Sequence, residues 1–196
     1  MTLFEYLSVG YSIVLSLVVV RVLGGLPAAL ERERRYWVHV LWLAYVLVRA
    51  LVFWWTFWAY REVVTWSFLS FALVLLLPGL LYMMAVALIP DDSNNISAWR
   101  GHYFAVHRQF FVVFASSILL VVGTSVFLQN APLIHPFRVG QAVIFGLALI
   151  GAFSSNDRIH AGLALILPLL LIPWMFFMFQ QPGGFFQQPG GLPFSP

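Results

Sequence analysis

Arg49 lies near the middle of an apolar run from Trp37 to Tyr60, with Trp54, Trp55 and Trp58 close behind it. A guanidinium keeps its proton at any physiological pH and carries five N–H donors. Its chemistry is therefore anion binding, ion pairing or the clamping of neighbouring hydroxyls. At the centre of a membrane-crossing helix such a charge costs about 2.5–3.5 kcal/mol on insertion scales, so an internal partner is expected. Trp42, Tyr45, Arg49, Thr56 and Tyr60 follow helical spacing on this run, and Glu5, Ser8, Ser12 and Ser16 do so on the first apolar run. Two polar stripes on sequential antiparallel helices are expected to face each other. Arg49 would then pair with Glu5, directly or through Ser8 and Ser12. Such an arrangement serves as a structural clasp or as an anion or substrate site.

The histidines form a second constellation. His39, His107 and His160 stand at or near the start of three apolar runs, His102 precedes His107 by about one turn, and Asp91, Asp92 and Asp157 lie in neighbouring connections. Histidine with carboxylate suits zinc, iron or copper, and paired histidines hold haem. No pair has the H-x-x-x-H spacing, so solvated helix-end residues without a bound cofactor are expected, with haem or metal as the alternative. Gly123-Thr124-Ser125 has the Gly-x-Ser pattern of six-helix intramembrane proteases, which need a histidine within reach of the serine. Here Ser125 and His160 fall at opposite ends of their runs. No Asp or Glu falls at mid-membrane depth, which disfavours proton-driven transport.

The elements that must position these groups follow from composition. The 196 residues are 62% hydrophobic and 9% charged, with a mean hydropathy of +0.92. A soluble domain carries about 25% charged residues to make its polar skin. This chain cannot make one, so lipid is its expected solvent, and long apolar runs select helices over a barrel. Absence of cysteine excludes disulfides, thiolate metal sites and a cysteine nucleophile. All ten basic residues are arginine, and they sit at the ends of apolar runs rather than in a nucleic-acid stripe. The N-terminus lacks a basic region ahead of its first apolar run, which reads as a retained helix.

Six runs are long enough to cross a hydrocarbon core of about 30 Å: Leu3 to Leu23, Trp37 to Tyr60, Trp66 to Ile89, His107 to Leu128, Phe137 to Phe153 and Ile159 to Phe179. The first should stop at Gly24-Gly25 and Pro27, and Asn95 or Ser97 should cap the helix leading into the fourth. Trp99 to Arg108 is too polar to cross and should lie at the interface, with Trp37 and Trp99 marking one membrane surface. Prolines interrupt runs three and six at Pro78, Pro168 and Pro173. The fold class expected is an all-α integral membrane bundle of six transmembrane helices over residues 1–179. Residues 180–196 form a tail in which QQPGGFF is followed by QQPGGLP. Uncharged, and blocked from helix and sheet by proline and glycine, this tail offers Phe185, Phe186 and Phe194 for docking on a partner.

Small residues Gly140, Ala142, Gly146 and Ala148 on the fifth run suit close helix packing. With scarce ionisable groups, these features lead to a non-catalytic accessory or structural subunit, partnered by lipid and by other membrane subunits or itself. A small transporter or channel using the Arg49 face is the alternative, and a histidine-ligated haem or metal protein the third. Connections after runs one, three and five hold Arg21, Arg32, Arg34, Arg35, Arg100, Arg108 and Arg158, against Arg61 and Arg138 after runs two and four. By the positive-inside rule both termini lie outside the cytoplasm, in a bacterial inner membrane. Reporter fusions should read cytoplasmic at Arg34 and extracytoplasmic at Pro196; the reverse pattern would invert the bundle.

Overall fold

The computed structural model describes residues 2–178. Within them the chain forms six α-helices and no strand: α1 (Leu3–Leu30), α2 (Trp37–Phe57), α3 (Phe68–Leu88), α4 (Trp99–Gln129), α5 (Pro136–Phe153) and α6 (Asp157–Met178). A short 3-10 turn, Trp58–Glu62, prolongs α2, and another, Ser93–Asn95, lies between α3 and α4. Leu3–Leu30, Trp37–Glu62, Phe68–Leu88 and Trp99–Gln129 are each long and apolar enough to cross a membrane, and Phe137–Phe153 is apolar but shorter. The chain is an all-α bundle with the apolar helices of a membrane protein. The tail with Phe185, Phe186 and Phe194 lies outside the described residues.

Local chemistry sets the helix ends. Thr2 and Glu5 form a reciprocal capping box at the start of α1, and Ser67 with Ser70 does the same for α3. Pro136 opens α5, where its missing N–H would have had no helical partner. Asn130 closes α4 in the left-handed region, at φ 52°, and Ala131 N–H donates to Ser125 O at 3.0 Å.

Two helices outrun the expected boundaries. α1 does not stop at Gly24-Gly25 but continues through Pro27, giving about 42 Å at 1.5 Å per residue. Gly25 is the reason the extension packs: a Cβ there would lie 2.2 Å from Ile89 Cγ2 at the end of α3. Arg21 consequently belongs to the helix, and it reaches across to the Ile89 carbonyl (Nε, 2.8 Å) and to Asp91 (Nη1, 2.6 Å). α4 already begins at Trp99, so the polar segment expected at the interface is the first three turns or so of a 31-residue helix. Neither Asn95 nor Ser97 caps it. Its N-cap, Ala98, has no side-chain acceptor; instead Trp99 N–H donates to Arg34 O at 3.1 Å, between α1 and α2. Trp99 is fully buried and its Nε1 donates to Ala28 O at 2.9 Å, so it plugs the bundle and does not mark a membrane surface.

α2 is the element most widely contacted. It packs on α1, α3 and α6 and touches α4, while α3 runs along α4, α4 along α5, and α5 along α6. Leu7, Tyr11, Leu15, Val18 and Val22 form the buried stripe of α1, and Trp42, Leu43, Val46, Ala50 and Phe53 that of α2. α5 meets α4 at Gly151, where a Cβ would fall 2.6 Å from the ring of Phe111, itself fully buried. Gly151→Ala should therefore lower thermal stability in detergent, by about 1–3 kcal/mol for overpacking a filled core. Gly146→Ala, where nothing lies within 4 Å, should be neutral or slightly stabilising.

Candidate functional site

The polar residues of α2 meet α4. Arg49 is 8% exposed, and its Nη2 donates to Ser117 Oγ at 3.2 Å. The Ser117 hydroxyl in turn donates to Phe114 O at 2.7 Å, leaving its oxygen lone pairs toward the guanidinium. The cation lies over two rings, with Cζ 4.9 Å from the centroid of Phe53 and 5.1 Å from that of Phe114. Desolvated cation–π contacts of this kind are worth about 2 kcal/mol, enough to offset much of the insertion cost. Arg49 Nε has no hydrogen-bond partner, and no carboxylate pairs with the guanidinium among the described residues. Further along the seam, the Tyr60 hydroxyl donates to Thr124 Oγ1 at 3.0 Å.

Glu5, Ser8 and Ser12 are not the partners of Arg49. Ser8, Ser12 and Ser16 donate to the carbonyls of Glu5, Ser8 and Ser12 on their own helix, and Glu5 accepts from Thr2 N at 2.8 Å. The reason lies in the angular offset on α1. Its stripe Leu7, Tyr11, Leu15, Val18, Val22 occupies the interface, which turns Glu5 and Ser16 outward, and back-bonding satisfies the hydroxyls locally. Thr56 likewise back-bonds to Val52 O at 2.8 Å and takes no part in the seam. Tyr45 is buried against the ring of Phe114, with centroids 5.6 Å apart. The residues absent from the sequence expectation are on α4: Tyr103, Phe110, Ser117 and Thr124 recur every seven positions, and all four are buried. That period was the available signal.

His39, His102, His107 and His160 gather at one end of the bundle. The ring centroids of His39 and His102 are 6.2 Å apart, and those of His107 and His160 are 5.2 Å apart. They are packed rather than solvated: His39 is fully buried and stacks on Trp99 at 4.7 Å, and His160 is fully buried. His160 Nε2 lies 2.7 Å from Ser154 O, and a carbonyl only accepts, so this nitrogen carries the proton. Nδ1 then accepts from the Tyr103 hydroxyl at 2.7 Å, and the ring has no lone pair left for a metal. His102 Nε2 donates to the carbonyls of Ala87 and Leu88, both at 3.1 Å, at the end of α3. His107 Nδ1 donates to Phe104 O at 2.7 Å. Both nitrogens of His39 are buried without a partner. Among the described residues no three His, Asp or Glu side chains converge as a metal-ligand set.

Beyond the histidines the same end is closed by ionic contacts. Arg100 pairs with Asp157, which also accepts from the Tyr36 hydroxyl at 3.0 Å. Arg34 pairs with Glu31 and donates to Ile96 O at 2.9 Å. These contacts join the α1–α2 connection to both α4 and α6. Against protein-family models, curated proteins and solved structures, the chain shows no match.

The Arg100 guanidinium, and after it the Tyr36 hydroxyl, hold the Asp157 carboxyl below the usual carboxylate range. Burial, and then the Asp157 carboxylate, push the Tyr36 phenol up to about 12. The Asp157 contribution to stability is present above its unfolded value of about 3.9 and is lost as pH falls through the lower folded value. That of Tyr36 is present below about pH 10 and fades as pH rises from there through 12. Melting temperature in detergent should thus fall at both extremes. Tyr36→Phe should flatten the alkaline limb and Asp157→Asn the acid limb.

Proposed function

We propose that the chain is a non-catalytic subunit that crosses a bacterial inner membrane six times, with both termini extracytoplasmic, and assembles with other membrane proteins. The observation that carries this reading is the outward face of α5. Val139, Val143, Ile150 and Phe153 are 64%, 48%, 50% and 74% exposed, and with Gly146 between them they follow 4-3-4-3 spacing. Gly146 has no atom within 4 Å of where its Cβ would stand. A notch bordered by bulky apolar side chains receives the ridge of another helix, and association within lipid is governed by such shape fitting. Of the small residues expected to act together, Ala148 instead packs inward, fully buried. Inward use of Arg49, Ser117, Tyr60, Thr124, Tyr103 and His160 supports the same reading, because each ties one helix to the next.

A second reading is favoured by one observation: the Arg49 guanidinium is buried without a carboxylate, and a small transporter or channel for anions would use such a charge. A photo-crosslinker at Val143 in native membranes should capture one protein species, this chain or another, and Gly146→Leu should abolish the capture without affecting insertion. Capture of lipid alone would remove the assembly reading. Purified protein in vesicles should pass chloride no faster than empty vesicles do; a flux abolished by Arg49→Leu would establish the second reading instead.

A further inference from the structure

The tautomers at the histidine end decide which ring nitrogens keep a lone pair. His160 keeps none, because its Nε2 donates to Ser154 O and its Nδ1 accepts from the Tyr103 hydroxyl. His102 Nε2 stands 3.1 Å from both Ala87 O and Leu88 O, so the neutral ring carries its proton there and its lone pair on Nδ1. His39 is fully buried, and neither of its nitrogens has a hydrogen-bond partner. Whichever of the two carries the proton, the other presents an unused lone pair. Native interiors seldom leave a polar ring in that condition.

These two rings are neighbours, one from the first turn of α2 and one from the first turn of α4. Their centroids are 6.2 Å apart and their planes stand at 77°. An ion with an imidazole nitrogen about 2 Å away on either side sets the two ring centroids roughly 6 Å apart, and rotation about that axis leaves the angle between the planes free. Trp99 stacks on His39 at 4.7 Å and meets His102 edge-on at 5.6 Å, so one indole borders both histidines. His102 is half-buried, which gives the pair a route to the aqueous end.

The charge of the ion follows from what surrounds it. The acids of this end are engaged or outside: Asp91 pairs with Arg21, Glu31 with Arg34 and Asp157 with Arg100, while Asp92 and Glu33 are exposed. A dication between two neutral imidazoles would hold both charges uncompensated away from water, and zinc takes four ligands. Monovalent copper carries half that charge, accepts imidazole and is satisfied by two ligands in line. The face of an indole also attracts a cation. We propose that His39 and His102 Nδ1 form a two-histidine site for Cu(I), bordered by Trp99. The inference does not depend on a partner on α5.

The test titrates full-length protein in detergent with Cu(I) under anaerobic conditions, against a chromophoric Cu(I) chelator. X-ray absorption of the loaded protein reads the ligands, and a melting curve checks the fold of each variant. Wild-type protein should take up one Cu(I) per chain, bound by two nitrogens and no sulfur, and should hold it more tightly than Zn(II). His39→Phe keeps a ring for Trp99 to stack on but removes the ligand. His102→Gln keeps an N–H for the α3 carbonyls but removes the lone pair. Each should weaken Cu(I) binding by more than about a hundredfold, beyond the loss expected from an outer hydrogen bond alone. His107→Gln should leave the affinity unchanged; a comparable loss there would move the site and overturn the assignment. The proposal is also overturned if wild-type protein takes up no stoichiometric Cu(I), or if Zn(II) binds as tightly. Retention of wild-type affinity by either folded ligand variant overturns it too. Should a variant fail to fold, the absorption of the wild-type protein still decides, since a single nitrogen or a sulfur ligand would refute the two-histidine site.

Discussion

A buried guanidinium dictates the order of helices around it. Arg49 meets the Ser117 hydroxyl and the rings of Phe53 and Phe114, and Ser117 and Phe114 both come from α4. For α4 to supply them it must lie against the polar side of α2, although α3 comes between the two in sequence. α3 is accommodated by running along α4 and α1, and α6 packs on the flank of α2 left open. The polar seam costs little on the α4 side, because the serine and threonine hydroxyls there keep a second bond to a carbonyl of their own helix. Ser117 does so to Phe114, and Thr124 to Leu120 at 2.9 Å.

The histidine end obeys the same rule with different groups. His160 is fixed in one tautomer by a carbonyl on one side and a phenol on the other, and His102 satisfies two carbonyls that the end of α3 leaves free. Chemically versatile side chains are thereby made structural. His39 is the exception, with its ring packed among Trp99, His102 and Tyr103 and neither nitrogen hydrogen-bonded to a described residue.

Helix existence was legible because apolar length is a strong signal. Runs two, three and five are recovered within one or two residues, apart from the 3-10 turn that ends run two. Boundaries failed where tertiary contact overrode local grammar: Gly25 marks a close approach to Ile89, not a stop, and Trp99 is capped by a carbonyl more than sixty positions earlier. The polar stripe on α2 was also legible, but its partner was not. Sequence adjacency favoured the serines of α1, whereas the apolar stripe of that helix controls which side turns inward. The heptad of Tyr103, Phe110, Ser117 and Thr124 identifies the true partner only once α2 and α4 are known to touch. The histidines are drawn together by their places near the starts of apolar runs, although His107 lies in the third turn of α4, and their burial could not be read from neighbours along the chain.

The bond between Trp99 N–H and Arg34 O has a consequence for biosynthesis. With Trp99 Nε1 on Ala28 O and Arg34 Nη1 on Ile96 O, it closes the connection between the first two helices by means of residues made more than sixty positions later. A nascent chain that has delivered only α1, α2 and α3 carries an open arginine-rich connection and a buried cation still lacking Ser117. The connection between α1 and α2 is therefore closed only once the start of α4 has been made. Any pause in translation ahead of Trp99 lengthens the interval in which a membrane insertase or quality-control protease meets the half-made bundle.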